Sequence, residues 1–489
     1  MNVKSKWFWA LILFFLISHV VNLTILPVFA DEAIYIRWSQ FFGREPFKYL
    51  FFPLYDGKTP LYIWILGVFS KLSLDPLLIS RGISVGISLI CGIVIARLVE
   101  LLADKKNTFN PALFIWTILP FSFIYSRLAL IDMLLTLWLS LSIYYYFQVL
   151  LRLKHGGLYP IVPGIFWGLA LITKTSAFYF LPVYLVLYLF TQIKKQTKFE
   201  TRELGLGLLG FMMGSGMLLV MAFSPLFPFL FQRGADFTFS IQEIASNLPH
   251  ITATNVQRMG KWLLLYCSPL ILLSLMLMRS KKLGDQLLLI GLLVWLLPFL
   301  VTGKVLSSRY ILPSLIFIVP LMTITLSTLA SKIRIIVALL FIGYCMYWNY
   351  FLIFRPNAAP FPIEDRVQFL TDWSSGHGIK ESADFFLEIA KTQKVLVATE
   401  GFFGTLPDGL MIYLDGKTEL DNMRVEGVGL PIFGVPKLLT ETAGYDRKFV
   451  VVNEHRFVGN PLPPGLVLIQ KYPRPFGGPS LLLLEFQEK

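Results

Sequence analysis

The sequence predicts a polytopic α-helical membrane protein with a small water-soluble α/β domain at its C-terminal end. Three observations carry that expectation. Of its 489 residues 55% are hydrophobic and only 15% charged, with a mean hydropathy of +0.66, against roughly 25% charged residues in an average soluble domain. Apolar runs of about 20 residues, the length that crosses the hydrocarbon, recur from the N-terminus to Phe354. After Arg355 the composition changes: residues 356–489 hold 13 Lys and Arg against 17 Asp and Glu, a net of −4, whereas the preceding part holds 30 against 13, a net of +17. The overall charge of +13 would suit nucleic acid only on a solvated basic face, which so apolar a chain does not offer, so nucleic acid is set aside as a partner.

The first run starts at Trp7 and ends at the adjacent carboxylates Asp31 and Glu32. Lys4, Lys6 and the small-residue sequence Val28-Phe29-Ala30 also fit a cleaved signal peptide. About eleven spans are read, near 7–29, 81–102, 111–126, 133–151, 158–173, 177–193, 204–230, 262–279, 286–301, 311–330 and 335–354. With the N-terminus inside, their inner ends carry Lys4/Lys6, Lys105/Lys106, Arg152/Lys154, Lys194/Lys195/Lys198, Arg279/Lys281/Lys282 and Lys332/Arg334. This is the alternation that the positive-inside rule demands. Removing the first 30 residues would reverse it, so the first run is expected to stay. A plasma-membrane protein follows, with a cytoplasmic N-terminus and an extracytoplasmic C-terminal domain, divided as 1–355 and 356–489.

Residues 30–80 mix Trp38, Phe41, Phe42, Phe47, Tyr49, Tyr62 and Trp64 with charges, a composition suited to helices lying in the interface plane. The region 356–489 offers an amphipathic helix at 382–393 and β-rich runs at 395–399, 411–414, 449–453, 466–470 and 481–486, separated by Gly and Pro. Its Gly401-Phe402-Phe403-Gly404 is too short for a phosphate loop, and no nucleophile, base or metal constellation is read there. Acceptor recognition or covering the site is its expected task. Cys91, Cys267 and Cys345 lie inside apolar runs and read as packing residues, neither a disulfide framework nor a thiolate site. No metal ligands are assigned, and a divalent cation is left open as a cofactor.

Basic residues on the outer side break the charge rule. In this topology Lys58, Arg81, Arg127, Lys174, Lys304 and Arg309 fall at outer span ends, with Asp31, Glu32 and Asp132 at the same level. A charge at a helix centre costs roughly 2.5–3.5 kcal/mol on insertion scales, so charges near this depth have partners or a task. Taken singly, each could snorkel or cap a helix. Taken together, they suit an anionic group at the membrane surface, most simply the phosphate of a lipid-linked sugar. Arg forks and Lys point charges match phosphate oxygens, and such a clamp would stabilise the charge that grows on a departing phosphate. A carboxylate within reach would take the proton of the attacking hydroxyl. His250, alone in the polar segment 231–261, reads as a solvated residue.

The pattern resembles the GT-C membrane glycosyltransferases, in particular the branch with the protein O-mannosyltransferases and lipid A aminoarabinose transferases. The resemblance rests on Phe29-Ala30-Asp31-Glu32-Ala33-Ile34-Tyr35, Gly57-Lys58-Thr59-Pro60-Leu61-Tyr62-Ile63-Trp64, Ser126-Arg127-Leu128-Ala129-Leu130-Ile131-Asp132-Met133, Gly168-Leu169-Ala170-Leu171-Ile172-Thr173-Lys174 and Ser308-Arg309-Tyr310-Ile311-Leu312-Pro313. It covers roughly residues 1–330, and Thr59 replaces the first Pro of the usual pair. It implies inverting transfer of a hexose or pentose from a polyprenyl-phosphate-linked donor to a lipid, glycan or protein acceptor, metal-independent or weakly metal-dependent. Asp31 would be the base or acceptor-orienting group and Glu32 its second carboxylate. Lys58, Arg127 and Arg309 would hold the donor phosphate with Lys174 and Tyr310, and Asp132 would orient Arg127 or touch the acceptor. Two readings compete: a transporter or flippase for an anionic lipid-linked substrate, and for Asp31 a simple helix N-cap.

Overall fold

The computed structural model describes residues 6–103, 107–151, 153, 157–195, 201–269, 272, 282–458 and 462–487. Lys4, Lys105, Lys106, Arg152, Lys154, Lys198, Arg279 and Lys281, which carry much of the expected charge alternation, lie outside these residues. The chain forms two compact units: Met1–Val21, Leu50–Tyr62 and Arg81–Arg355 make the first, Asn22–Tyr49, Ile63–Ser80 and Pro356–Lys489 the second.

The first unit is helical. Among the described residues seven helices are long and apolar enough to cross a membrane: Pro76–Leu102, Ile131–Leu150, Thr175–Lys194, Thr201–Phe223, Leu283–Thr302, Ser308–Thr328 and Ser331–Phe354. Lys6–Val20 and Tyr159–Leu171 are apolar but shorter. The run expected as one span near 111–126 is two helices, Phe109–Ile118 and Pro120–Ser126, bent by 65°. Pro120 lacks an amide hydrogen and pushes the preceding Leu119 into an extended conformation (ψ 124°), which ends the first helix and starts the second. The segment expected near 262–279 begins inside a longer helix, Ile241–Cys267, and part of its remainder lies outside the described residues.

Small residues set one close helix contact. Gly164 and Gly168 on Val162–Leu171 face Gly210 and Gly214 on Thr201–Leu219, where a β-carbon on any of the four would overlap the opposing backbone. Both helices therefore carry a Gly-x-x-x-Gly pair, which allows close approach where lipid tails give no hydrophobic drive for association.

The second unit holds a five-stranded sheet. In chain order its strands and those of a small two-stranded sheet are β1 (Val395–Thr399), β2 (Met423–Gly427), β3 (Ile432–Phe433), β4 (Arg447–Asn453), β5 (Phe457–Val458), β6 (Leu466–Tyr472) and β7 (Leu481–Phe486). The large sheet runs β2-β1-β4-β7-β6, parallel across β2-β1-β4 and antiparallel across β4-β7-β6. Helix Ile379–Ala390 covers one face through Ile379, Ala383 and Phe386, and Leu439 of helix Lys437–Glu441 packs on the other.

Two expectations change here. The apolar run 411–414 is the end of a helix, Asp408–Leu414, because four apolar residues cannot signal helix or strand by periodicity alone. The first-loop helix Ala30–Arg44 is part of this unit: Ala33 and Ile36 join the core of Phe386, Val397 and Leu410. Arg37 and Arg44 both pair with Asp415, at 2.8 and 2.6 Å.

Candidate active site

Asp132 sits in the first turn of Ile131–Leu150. Its Oδ1 lies 2.6 Å from Lys174 Nζ, with the aspartate 1% exposed. Lys174 precedes the 3₁₀ turn Thr175–Phe180 in an extended conformation, which turns its side chain out of the helical run. Its Nζ is 4.3 Å from the centroid of the Tyr310 ring, and the Arg309 guanidinium is 5.5 Å from the same ring. Both cations thus lie within cation–π range of one aromatic ring. Tyr310 and Arg309 are carried on a second 3₁₀ turn, Ser308–Ser314, tied back by a 2.5 Å hydrogen bond between Ser308 Oγ and Tyr125 Oη. Asp132, Lys174, Arg309 and Tyr310, read from three separate stretches, therefore form one contiguous cluster. Asp132 partners Lys174.

Arg127 caps Pro120–Ser126 and is 6% exposed. Its Nη1 donates to the carbonyls of His19 (2.8 Å), Val21 (2.9 Å) and Ser18 (3.3 Å). These belong to the C-terminal end of Lys6–Val20, where orphan carbonyls and the helix dipole favour a cation. The wholly buried Arg81 opposes the Arg127 charge. A second centre forms around Asp56: Lys58 Nζ is 2.6 Å from its Oδ2, and Arg233 Nη1 bonds its Oδ1. Gly57, at φ +68°, supplies the left-handed turn that lets residues 56 and 58 share this contact. Neither Asp56 nor Arg233 is among the residues that the sequence points to. Asp56 is next to the Gly-Lys stretch and was within reach, whereas Arg233, 177 residues further along, gives no local signal.

The two carboxylates lie in the second unit, on the first turn of Ala30–Arg44. Phe29, in an extended conformation, is the cap, so Asp31 is not an N-cap residue. Glu32 is fully buried, and its Oε2 accepts from the Phe29 amide at 3.0 Å, satisfying one of the N–H groups left over at a helix start. Asp31 beside it is half-buried. Adjacent acids therefore occupy different environments, one fixed in the helix start and the other partly open to solvent.

A recess of about 330 Å³ in the first unit is lined by Glu243, His250, Arg258 and Lys304 among others, and by none of the clustered residues above. Among the described residues no group of three or more His, Cys, Asp or Glu converges as a metal donor set.

Residues 57–219 match the family model described as dolichyl-phosphate-mannose-protein mannosyltransferase. Solved structures are similar over most of the chain. ArnT from Cupriavidus metallidurans bound to undecaprenyl phosphate aligns with a TM-score of 0.63 at 12% identity, covering 98% of each chain. The same protein in its apo state aligns at 0.59 and 11% identity, over 99% of this chain and 98% of that one. The oligosaccharyltransferase of Archaeoglobus fulgidus, tethered through a disulfide to an acceptor peptide containing an NVT sequon, aligns at 0.52 and 13%, over 92% and 70%. No curated protein sequence matches significantly. The chain has the GT-C fold of membrane glycosyltransferases. It is a multi-pass membrane protein with a strand-containing C-terminal region.

Proposed function

We propose that this protein is an inverting glycosyltransferase that moves a sugar from a polyprenyl-phosphate-linked donor to an acceptor outside the plasma membrane. The observation that carries this reading is the Asp132–Lys174–Tyr310–Arg309 cluster in a chain of GT-C fold. The undecaprenyl phosphate bound by ArnT supports a lipid phosphate as the anion. A transporter is not favoured, since the similar solved proteins include an oligosaccharyltransferase.

In the reaction an acceptor hydroxyl gives its proton to the Asp31 carboxylate, and its oxygen attacks the anomeric carbon from the face opposite the phosphate. The anomeric carbon–oxygen bond breaks, and its electron pair leaves with the polyprenyl phosphate. Lys58, Arg127, Lys174 and Arg309 stabilise the phosphate charge as it grows, with the Tyr310 ring steadying Lys174 and Arg309. Asp132 holds Lys174, and Glu32 fixes the backbone that presents Asp31. No step is assigned to a divalent cation. The N-terminus is cytoplasmic, residues 1–355 supply the membrane spans and the reacting side chains, and residues 356–489, which fold with Asn22–Tyr49 and Ile63–Ser80, are an extracytoplasmic domain serving the acceptor.

Full-length protein in detergent, given a polyprenyl-phosphate sugar and a cell-envelope extract, is expected to release polyprenyl phosphate. Movement of intact donor across a bilayer without release would establish the transporter instead.

A further inference from the structure

The carboxyl edge of the parallel strands in the second unit contains a second cluster that the donor chemistry does not use. The chain leaves β1, crosses one face of the sheet through Asp408–Leu414 to reach β2, and returns across the other face through Lys437–Glu441 to β4, on the opposite side of β1. The chain therefore leaves β1 and β4 in opposite directions at their carboxyl ends. Ligands of open α/β sheets bind outside the strand carboxyl ends at such a switch point.

The first residue after β1 is Glu400, 2% exposed. It accepts from the Asn453 amide (2.8 Å), from Asn453 Nδ2 (2.5 Å) and, at 3.1 Å, from Nη1 of Arg456, in the loop after β4. The Arg456 guanidinium lies 4.1 Å from the centroid of the half-buried Trp373 ring. A β-carbon added at Gly404 would lie 3.8 Å from that same ring. Gly401 and Gly404, at φ +70° and +105°, allow a turn that other residues would strain. The turn is pinned by Gly401 N–H to Gly429 O and Gly404 N–H to Asp408 Oδ2, both 2.8 Å. Phe402 and Phe403, 72% and 57% exposed, project from it.

This rim is coupled to the helix that carries Asp31. The Ala30 amide donates to Ser374 O, the neighbour of Trp373, and the Gly376 amide donates to Val28 O, both at 2.9 Å. A β-carbon added at Gly409, just past the glycine turn, would lie 3.8 Å from both Ala33 and Val28.

We propose that Trp373, Phe402, Phe403 and Arg456 bind a neutral saccharide portion of the acceptor, a reading that rests on the glycosyl transfer proposed above. Aromatic faces match the C–H face of a sugar ring. A planar guanidinium offers fixed donors to its hydroxyls. Because Glu400 neutralises Arg456, the rim suits a hydroxylated ligand better than a phosphate or carboxylate. Rigid aromatics held on a pinned turn also lose little entropy on binding.

The test uses the full-length protein in a detergent without a sugar headgroup, on an array of defined neutral oligosaccharides. Stabilisation by undecaprenyl phosphate is followed in parallel by thermal shift. Wild type is expected to retain at least one oligosaccharide saturably, with binding falling tenfold or more in Phe402→Ala/Phe403→Ala and in Arg456→Gln. The undecaprenyl phosphate shift should persist in both variants, which also reports that they are folded. No saccharide binding at millimolar ligand, or equal binding by wild type and the folded variants, would overturn the rim. A Phe402→Cys variant carrying a polarity-sensitive fluorophore in lipid nanodiscs should emit as if in water, and lipid-quenchable emission would overturn it in favour of membrane contact. Absence of any undecaprenyl phosphate shift with saccharide binding intact would count against the transferase reading and leave the rim standing.

Discussion

Lys174 and Asp132 form an ion pair of 2.6 Å beside the Tyr310 ring, with the aspartate buried and the lysine side chain 19% exposed. Breaking a buried pair from one side leaves an uncompensated charge, at about 3–5 kcal/mol when both groups are fully buried. The partial solvation of Lys174 reduces this, so Asp132→Ala is expected to cost about 2–3 kcal/mol. Removing both charges in Asp132→Asn/Lys174→Gln should cost less than the sum of the single changes, read as thermal unfolding in detergent. Strict additivity would mean that the two side chains do not act as a unit.

Asp31 and Glu32 are adjacent, and their variants should behave differently. Glu32→Ala removes the acceptor for the Phe29 amide and is expected to destabilise by about 1 kcal/mol, as for a lost helix-end hydrogen bond. Activity per folded molecule should survive at reduced temperature. Equal loss of turnover in Glu32→Ala and Asp31→Asn would assign both carboxylates to the chemistry.

Gly168 and Gly214 meet where a β-carbon has no room. Gly168→Leu or Gly214→Leu should destabilise by about 2–3 kcal/mol, in the range of overpacked cores, or prevent recovery of folded protein. Gly216→Leu on the same helix, where a β-carbon meets open space, should be close to neutral. Size-exclusion profiles and melting curves of the three variants make the comparison.

His377 adds a pH dependence to the second unit. Burial first, and then the Arg474 charge, lower its pKa from 6.5 to about 4, while its Nδ1 lies 2.6 Å from Ser375 Oγ. Between about 4 and 6.5 the unfolded chain binds a proton that the folded chain does not. Its contribution to stability is therefore full above pH 6.5 and lost as pH falls towards 4. The melting temperature of wild type should drop over that window more steeply than that of His377→Asn, measured at fixed ionic strength.

Much of the cation cluster was legible because charged residues at the outer ends of apolar runs are costly without a partner. Lys174, Arg309, Tyr310 and Asp132 were singled out on that ground, together with the family resemblance, and the structure draws them together. The partnership of Lys174 with Asp132 was not legible, since 42 residues separate them. Nor was the joining of the first-loop helix to the C-terminal unit, which rests on Arg37 and Arg44 reaching Asp415, more than 370 residues away. The Gly-x-x-x-Gly pairs at 164/168 and 210/214 are a sequence signal for close helix approach. The strand Met423–Gly427 escaped because its residues Met-Arg-Val-Glu-Gly alternate charge and apolar side chains over too short a length at a sheet edge.

The most direct measurement is single-turnover release of polyprenyl phosphate by purified full-length protein, comparing wild type with Asp31→Asn at matched thermal stability. Wild type should release it together with a glycosylated acceptor, and Asp31→Asn should be slower by about a hundred- to ten-thousandfold, the range for a lost general base. Release at the wild-type rate by Asp31→Asn would contradict the assignment of the base, and no release by wild type with any polyprenyl-phosphate sugar would contradict the reaction itself.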